Sequence, residues 1–246
     1  MYGDSEDGAP GGLDMSKIMK GIGEPVDTES QYDFFGHLVF EIISTDEKGK
    51  TEDPVLFKSY LAEARDYTGM ELVDPKNPNA MTSMVFDIKN QASIVFLDNK
   101  GKKSSLAYKM DFDEVNAAVE EQMESNEDEY DVTLEKTGKT KDILGYACEE
   151  YHMLSEDGEG YYWVTAEPIG GYSSFWSGNS PMMTSKAQER YAEQFKNMPK
   201  GSFMELNYTS KDSETVNMKV IEIDESSPKS LTMAEYPNIM KSMEQQ

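Results

Sequence analysis

The chain reads as α+β, mainly antiparallel β, and three observations carry that reading. Tyr146, Cys148, Tyr151 and Met153 alternate in part, and Tyr161-Tyr162-Trp163-Val164-Thr165 has the aromatic, β-branched composition of a pleated, half-buried surface. Between these runs, Ser155-Glu156-Asp157-Gly158 reads as a hairpin turn, because Asp-Gly tolerates the positive φ of tight turns. The patterns run strands, helix, strands, helix, strands, without the alternating rhythm that builds a parallel sheet.

Residues 1–30 are acidic and Gly-rich and are expected to be partly disordered. Met15, Ile18, Met19 and Ile22 have helical spacing there and could dock on the domain. Tyr32–Ser44 reads as one long strand in which Phe34/Phe35, Leu38, Phe40 and Ile42 alternate imperfectly, with Asp46–Lys50 as its turn. Strands follow at Val55–Tyr60, Met81–Asp87, Ala92–Leu97 and Ser104–Met110; Pro75–Ala80 is a loop and Asp98–Gly101 a turn. Asp111–Met123 changes period, since Val115, Ala118, Val119 and Gln122/Met123 share one helical face. An acidic run, Glu120–Asp131, comes next. Lys139–Leu144, Tyr146–Leu154 and Tyr161–Ala166 are the central strands. Ser185–Met198 is a second helix, with Ala187, Tyr191, Phe195 and Met198 aligned. Phe203–Ser210 and Thr215–Asp224 form a hairpin over Lys211–Glu214. The domain is expected over 31–225. The tail, 226–246, carries Leu231, Met233, Tyr236, Ile239, Met240 and Met243 and is expected to pack back on it.

The chain has 246 residues, enough to bury a core without metal or disulfide. Its 23 basic and 47 acidic residues give a net charge of −24. That balance argues against nucleic acid and against an anionic membrane surface, both of which would repel it. Cys148 is the one cysteine, so no intrachain disulfide forms. No apolar stretch is long enough to span a bilayer, and no signal peptide is read at the start. Two settings fit that start: a cytoplasmic chain, or a mature secreted domain carrying an added initiator Met.

The chemistry-bearing motifs fail on spacing. Gly138-Lys139-Thr140 mimics the end of a phosphate-binding loop, but position 133 is Thr where the loop needs Gly. Lys136-Thr137-Gly138 mimics a β-lactamase element, yet the only Ser-x-x-Lys, Ser226–Lys229, lies C-terminal to it and contains Pro. Cys148 and His152 lie about 13 Å apart along a strand, too far for a nucleophile–base pair. The reading is therefore a core Cys148 and a surface or rim His152. One Cys and two His, His37 and His152, make no zinc motif, and no acidic cluster has calcium-loop spacing. Asn207-Tyr208-Thr209 fits a glycosylation sequon but sits mid-strand. No catalytic residue, metal ligand or cofactor is expected.

The loop Pro168–Thr184 stands apart. It joins Gly-Gly, Ser-Ser and Ser-Gly with Tyr172, Phe175, Trp176, Met182 and Met183. Such a backbone carrying large apolar groups suits a lid or an adaptable contact, and equally a plug at one end of the core. These five residues and Trp163 are the candidate ligand-binding set. The 17 Met residues fit a permissive cavity or an irregular core alike.

Several runs carry a family resemblance: Tyr32-Asp33-Phe34, the segment MTSMVFDIK at Met81–Lys89, and Thr137…Ile143-x-Gly145-Tyr146-x-Cys148-x-x-Tyr151 followed by Tyr162-Trp163-Val164-Thr165. Over Gln31 to about Asp224 the chain resembles a bacterial family of extracytoplasmic proteins classed as a domain of unknown function. That family is similar in fold to LolA-type lipoprotein carriers. The resemblance implies a curved half-open β-barrel with two or three covering helices, an apolar cavity, and a periplasmic or secreted site. It implies no catalytic residues. Three functions are carried forward: a non-catalytic carrier or sensor of an apolar small molecule or lipid, a structural or protein-interaction module with a filled core, and, with least support, a hydrolase using scattered carboxylates.

Overall fold

Aromatic and β-branched runs separated by Gly, Asn and Asp turns dictate short antiparallel strands. The computed structural model describes residues 26–63, 66–74, 76–77, 79–112, 133–167, 169 and 201–239. They hold β1 (Gln31–Phe34), β2 (Gly36–Thr45), β3 (Val55–Leu61), β4 (Tyr67–Val73), β5 (Ala80–Asp87), β6 (Ala92–Asn99) and β7 (Lys102–Lys109). Beyond these come β8 (Thr133–Ile143), β9 (Tyr146–Ser155), β10 (Gly158–Thr165), β11 (Ser202–Ser210), β12 (Thr215–Asp224) and β13 (Lys229–Thr232).

Eleven strands form one antiparallel sheet in the order β7-β6-β5-β4-β3-β2-β12-β11-β10-β9-β8. The chain meanders from the middle outward over β2–β7. It then restarts at the opposite edge and meanders back over β8–β12, where Val220 pairs with Phe40 of β2. The two edges, β7 and β8, are not neighbours, so the sheet is open rather than a closed barrel. Part of the β7 edge is covered from the tail, since Ser105 N donates to Pro237 O at 3.0 Å.

β1 and β13 form a separate two-stranded ribbon. It lies on one face of β3–β7, where Tyr32, Phe34, Leu231 and Tyr236 pack with Tyr60, Val85, Ile94, Phe96 and Ala107. Each fully buried large apolar side chain there contributes about 1.5–3 kcal/mol. The ribbon is pinned by a buried carboxyl group: Tyr32 Oη donates to Asp87 Oδ2 at 2.6 Å, and Asn90 N and Nδ2 donate to Asp87 at 3.0 and 2.8 Å. A second cluster joins Leu38, Phe40, Phe57, Met204 and Val220 at mid-sheet, with Phe40 and Phe57 stacked at 4.9 Å.

Three expectations change. The single strand at Tyr32–Ser44 breaks at Phe35, because β1 leaves for the ribbon while β2 enters the main sheet. β4 and β13 were not expected as strands. The two or three covering helices are not borne by the described residues: the one helical element bounded within them is a 3-10 turn, Met233–Glu235. The helix candidates at Asp111–Met123 and Ser185–Met198 lie outside the described residues apart from Asp111 and Phe112, as do residues 1–25 of the N-terminal segment.

Candidate functional site

Strand alternation gives the sheet two faces of opposite character. The ribbon already occupies one face at the β3–β7 end. At the β12–β8 end the same face is a polar lattice. Lys219 pairs with Glu41 and Lys141 with Glu205, each at 2.8 Å, and Asn217 Nδ2 donates to Asn207 Oδ1. Glu150 is buried there, accepting from Thr137 Oγ1 at 2.8 Å and pairing with Lys139 at 3.0 Å. Burial pushes its pKa up, but the bonds from Lys139 and Thr137 outweigh this and hold it below the usual glutamate range.

The opposite face is apolar from strand to strand. The pairings Phe40–Phe57, Met70–Met84 and Met84–Val95 place Phe40, Phe57, Met70, Met84 and Val95 on it, and Val95–Leu106 extends it to β7. Across β2 the same face continues through Ile42–Met218, Met218–Leu206, Leu206–Tyr162 and Tyr162–Tyr151. The mid-sheet positions Phe40 and Phe57 are closed to solvent. Outward from them, Met70, Met84, Val95, Leu106, Leu206, Met218, Tyr162 and Tyr151 are only half-buried, and Leu72 is 46% exposed. Burial alone pushes the Tyr162 phenol up to about 12, a mark of apolar surroundings. Two hydroxyls on this face, Thr68 Oγ1 and Ser93 Oγ, are buried with no hydrogen-bond partner, on either side of Phe86 in register. A buried polar atom left so costs about 1–3 kcal/mol.

The candidate residues divide. Tyr172, Phe175, Trp176, Met182 and Met183 lie outside the described residues. Trp163 is buried in β10, alternating with Tyr162 and Val164, with Lys141 Nζ 4.1 Å from its ring centroid. Cys148 is fully buried, and burial pushes its thiol up, the wrong direction for a nucleophile. His152 is half-buried and stacks on Tyr161 at 5.1 Å, with Glu159 at 3.3 Å. His37, on β2, is buried and bonds Glu222 at 3.0 Å. Among the described residues no three His, Cys, Asp or Glu side chains gather to hold a metal, and no helix is long and apolar enough to cross a membrane. The continuous apolar face was not named from sequence. Its signal was the even spacing of Met70 and Leu72, of Met84 and Phe86, and of Met218 and Val220.

A family model described as Domain of unknown function (DUF4412) matches residues 34–234. The chain belongs to the DUF4412 family. No curated protein matches it. Among solved structures it is similar to PNGF-II in a C2 crystal form, at 15% identity and TM-score 0.29, over 80% of this chain and 28% of that one. The P21 form of PNGF-II gives 12% identity and TM-score 0.27, over 85% and 32%. The chain thus spans about a third or less of PNGF-II. A DUF1329 family protein from Desulfovibrio piger ATCC 29098 gives 11% identity and TM-score 0.16, over 78% and 84%. Scores this low carry no inference about this DUF4412 protein.

Proposed function

We propose that this protein is a non-catalytic, extracytoplasmic carrier or sensor of an apolar ligand, an acyl chain or a lipoprotein lipid. The ligand lies along the apolar sheet face, within a LolA-like half-barrel. The observation that carries the reading is the row of half-buried Met, Leu and Tyr side chains on both sides of the packed centre. A face that had finished packing would bury them. Methionines adapt to acyl chains of varied shape. Thr68 and Ser93 offer hydroxyls to the polar end of such a ligand. Tyr172, Phe175, Trp176, Met182 and Met183 gate the site, as their loop composition suggests.

Titration with a fluorescent fatty acid tests this. Trp176→Ala and Met84→Asp should weaken uptake while the far-ultraviolet circular dichroism stays unchanged; affinity equal to wild type in both would sink the idea. The closed centre around Phe40 and Phe57 favours a second reading, a protein-interaction module with a filled core. That reading predicts no probe uptake and a mass in solution that rises with concentration.

A further inference from the structure

Three local irregularities meet at the end of the sheet where β9 begins and β12 ends. The β12–β2 register slips between Val220 and Glu222, so Ile221 is an extra, bulged residue. The β8–β9 hairpin turns through Leu144 at φ 54 and Gly145 at φ 87, where Asn-Gly would sit without strain. Gly36 lies so close to the next turn that a Cβ would fall 2.2 Å from Asp224 O and 2.7 Å from Glu225 Cα, which fixes that turn against β2.

These features converge on one open cleft of about 410 Å³, lined by Leu144, Tyr146, Ile221, Glu222, Ile223 and Glu225. β9 and β12 are separated by two strands, so on a flat sheet they would stand about 14 Å apart, yet Leu144 and Tyr146 line the same cleft as Ile221 and Ile223 of β12. Leu144 is 49% exposed, so the fold gains little from a strained leucine there, and its side chain serves as a cleft wall. Glu222 is held by buried His37 while 56% of its side chain remains exposed.

We propose that this cleft docks a lysine or arginine side chain of a partner polypeptide. The aliphatic stem lies against Leu144, Tyr146, Ile221 and Ile223, and the cationic head meets Glu222 and Glu225. Long basic side chains cover apolar surface in this way while keeping the charge wet. The occupant is a side chain rather than a free amine because the cleft is open at a hairpin tip, where a passing chain can insert one residue. The net charge of −24 draws a basic partner toward it. Tyr146 and Ile223 also pack against the mid-sheet cluster, so the cleft borders the apolar face, and its two carboxylates set it apart.

The test titrates the full chain with acetylated, amidated Leu-Arg-Leu, followed by NMR amide shifts. The expected Kd is on the order of 1 mM. The same peptide with citrulline for arginine, and the Glu222→Gln/Glu225→Gln variant with the arginine peptide, should each bind about tenfold more weakly. Leu144→Asn relaxes the turn, so its melting temperature should hold or rise while affinity falls; it decides the matter if the double variant does not fold. No saturable shift in the wild-type protein overturns the proposal, as does equal binding of the citrulline peptide. Butylguanidinium binding as tightly as the peptide overturns the polypeptide occupant.

Discussion

Tyr32→Phe removes one hydroxyl and leaves the ring, which isolates the bond that pins the ribbon to the sheet. The ring contacts with Tyr67 at 5.2 Å and Phe96 at 6.3 Å survive the change. Two bonds are lost: the 2.6 Å bond to Asp87, which is fully buried, and the 3.1 Å bond from Glu29 N. A bond to a charged group contributes about 1.5–3 kcal/mol and a neutral one about 0.5–1.5 kcal/mol. Asp87 keeps both bonds from Asn90, and Glu29 N, near the surface, recovers part of its loss from water. The expected cost is therefore about 2–4 kcal/mol, read as a shift in urea midpoint at constant slope. Asp87→Ala closes a double-mutant cycle in which the pair should fall short of additivity by about 1–3 kcal/mol. A Tyr32→Phe cost below about 0.5 kcal/mol, or full additivity, would refute the view that this buried bond holds the ribbon.

Gly69→Ala places a Cβ 2.8 Å from Phe34 Cζ and 3.2 Å from Met84 O, so it should cost about 1–3 kcal/mol in urea unfolding; an unchanged midpoint would mean the ribbon does not press on β4 there. Tyr32, Tyr60 and Tyr162 all have phenols raised by burial, Tyr162 to about 12. Raised acids protect the fold in full below the unfolded tyrosine value of about 10 and lose that protection above it, so unfolding midpoints should drop steeply once the pH passes about 10. A flat profile there would contradict the burial. Glu150 is lowered from 4.5, so its contribution is present above that value and is lost as the pH falls through the folded value. The stability gap between wild type and Glu150→Gln should accordingly be largest at neutral pH and shrink in acid; a gap that widens in acid would reverse the assignment.

The strands that reach the eye from sequence are those whose own composition decides them. β9, β10, β11 and β12 carry aromatic or β-branched runs between clear turns, and register confirms the hairpins. β4 hides because Gly69 interrupts its pattern, and that glycine answers to the ring of Phe34, on β1 and far from it in the chain, rather than to its neighbours. β13 has one inward apolar residue, Leu231, and its partner β1 lies at the other end of the chain. The adjacent Phe34 and Phe35, an apparent flaw in alternation, mark the point where the chain changes sheet: each packs into a different cluster. The meeting of β12 with β2 at mid-sheet is invisible locally, so the apolar face could not be assembled in advance. The cleft was hidden for the same reason. Leu144 reads as the end of the strand Lys139–Leu144, and nothing local shows that it will stand beside Ile221 and Ile223.

Native mass spectrometry of the protein purified from its host tests the carrier reading most directly. A carrier shows a reproducible added mass on the order of a few hundred daltons, released by organic solvent, that identifies the ligand class. A bare chain mass, with no uptake of an apolar probe on titration, would contradict it and leave the packed interaction module.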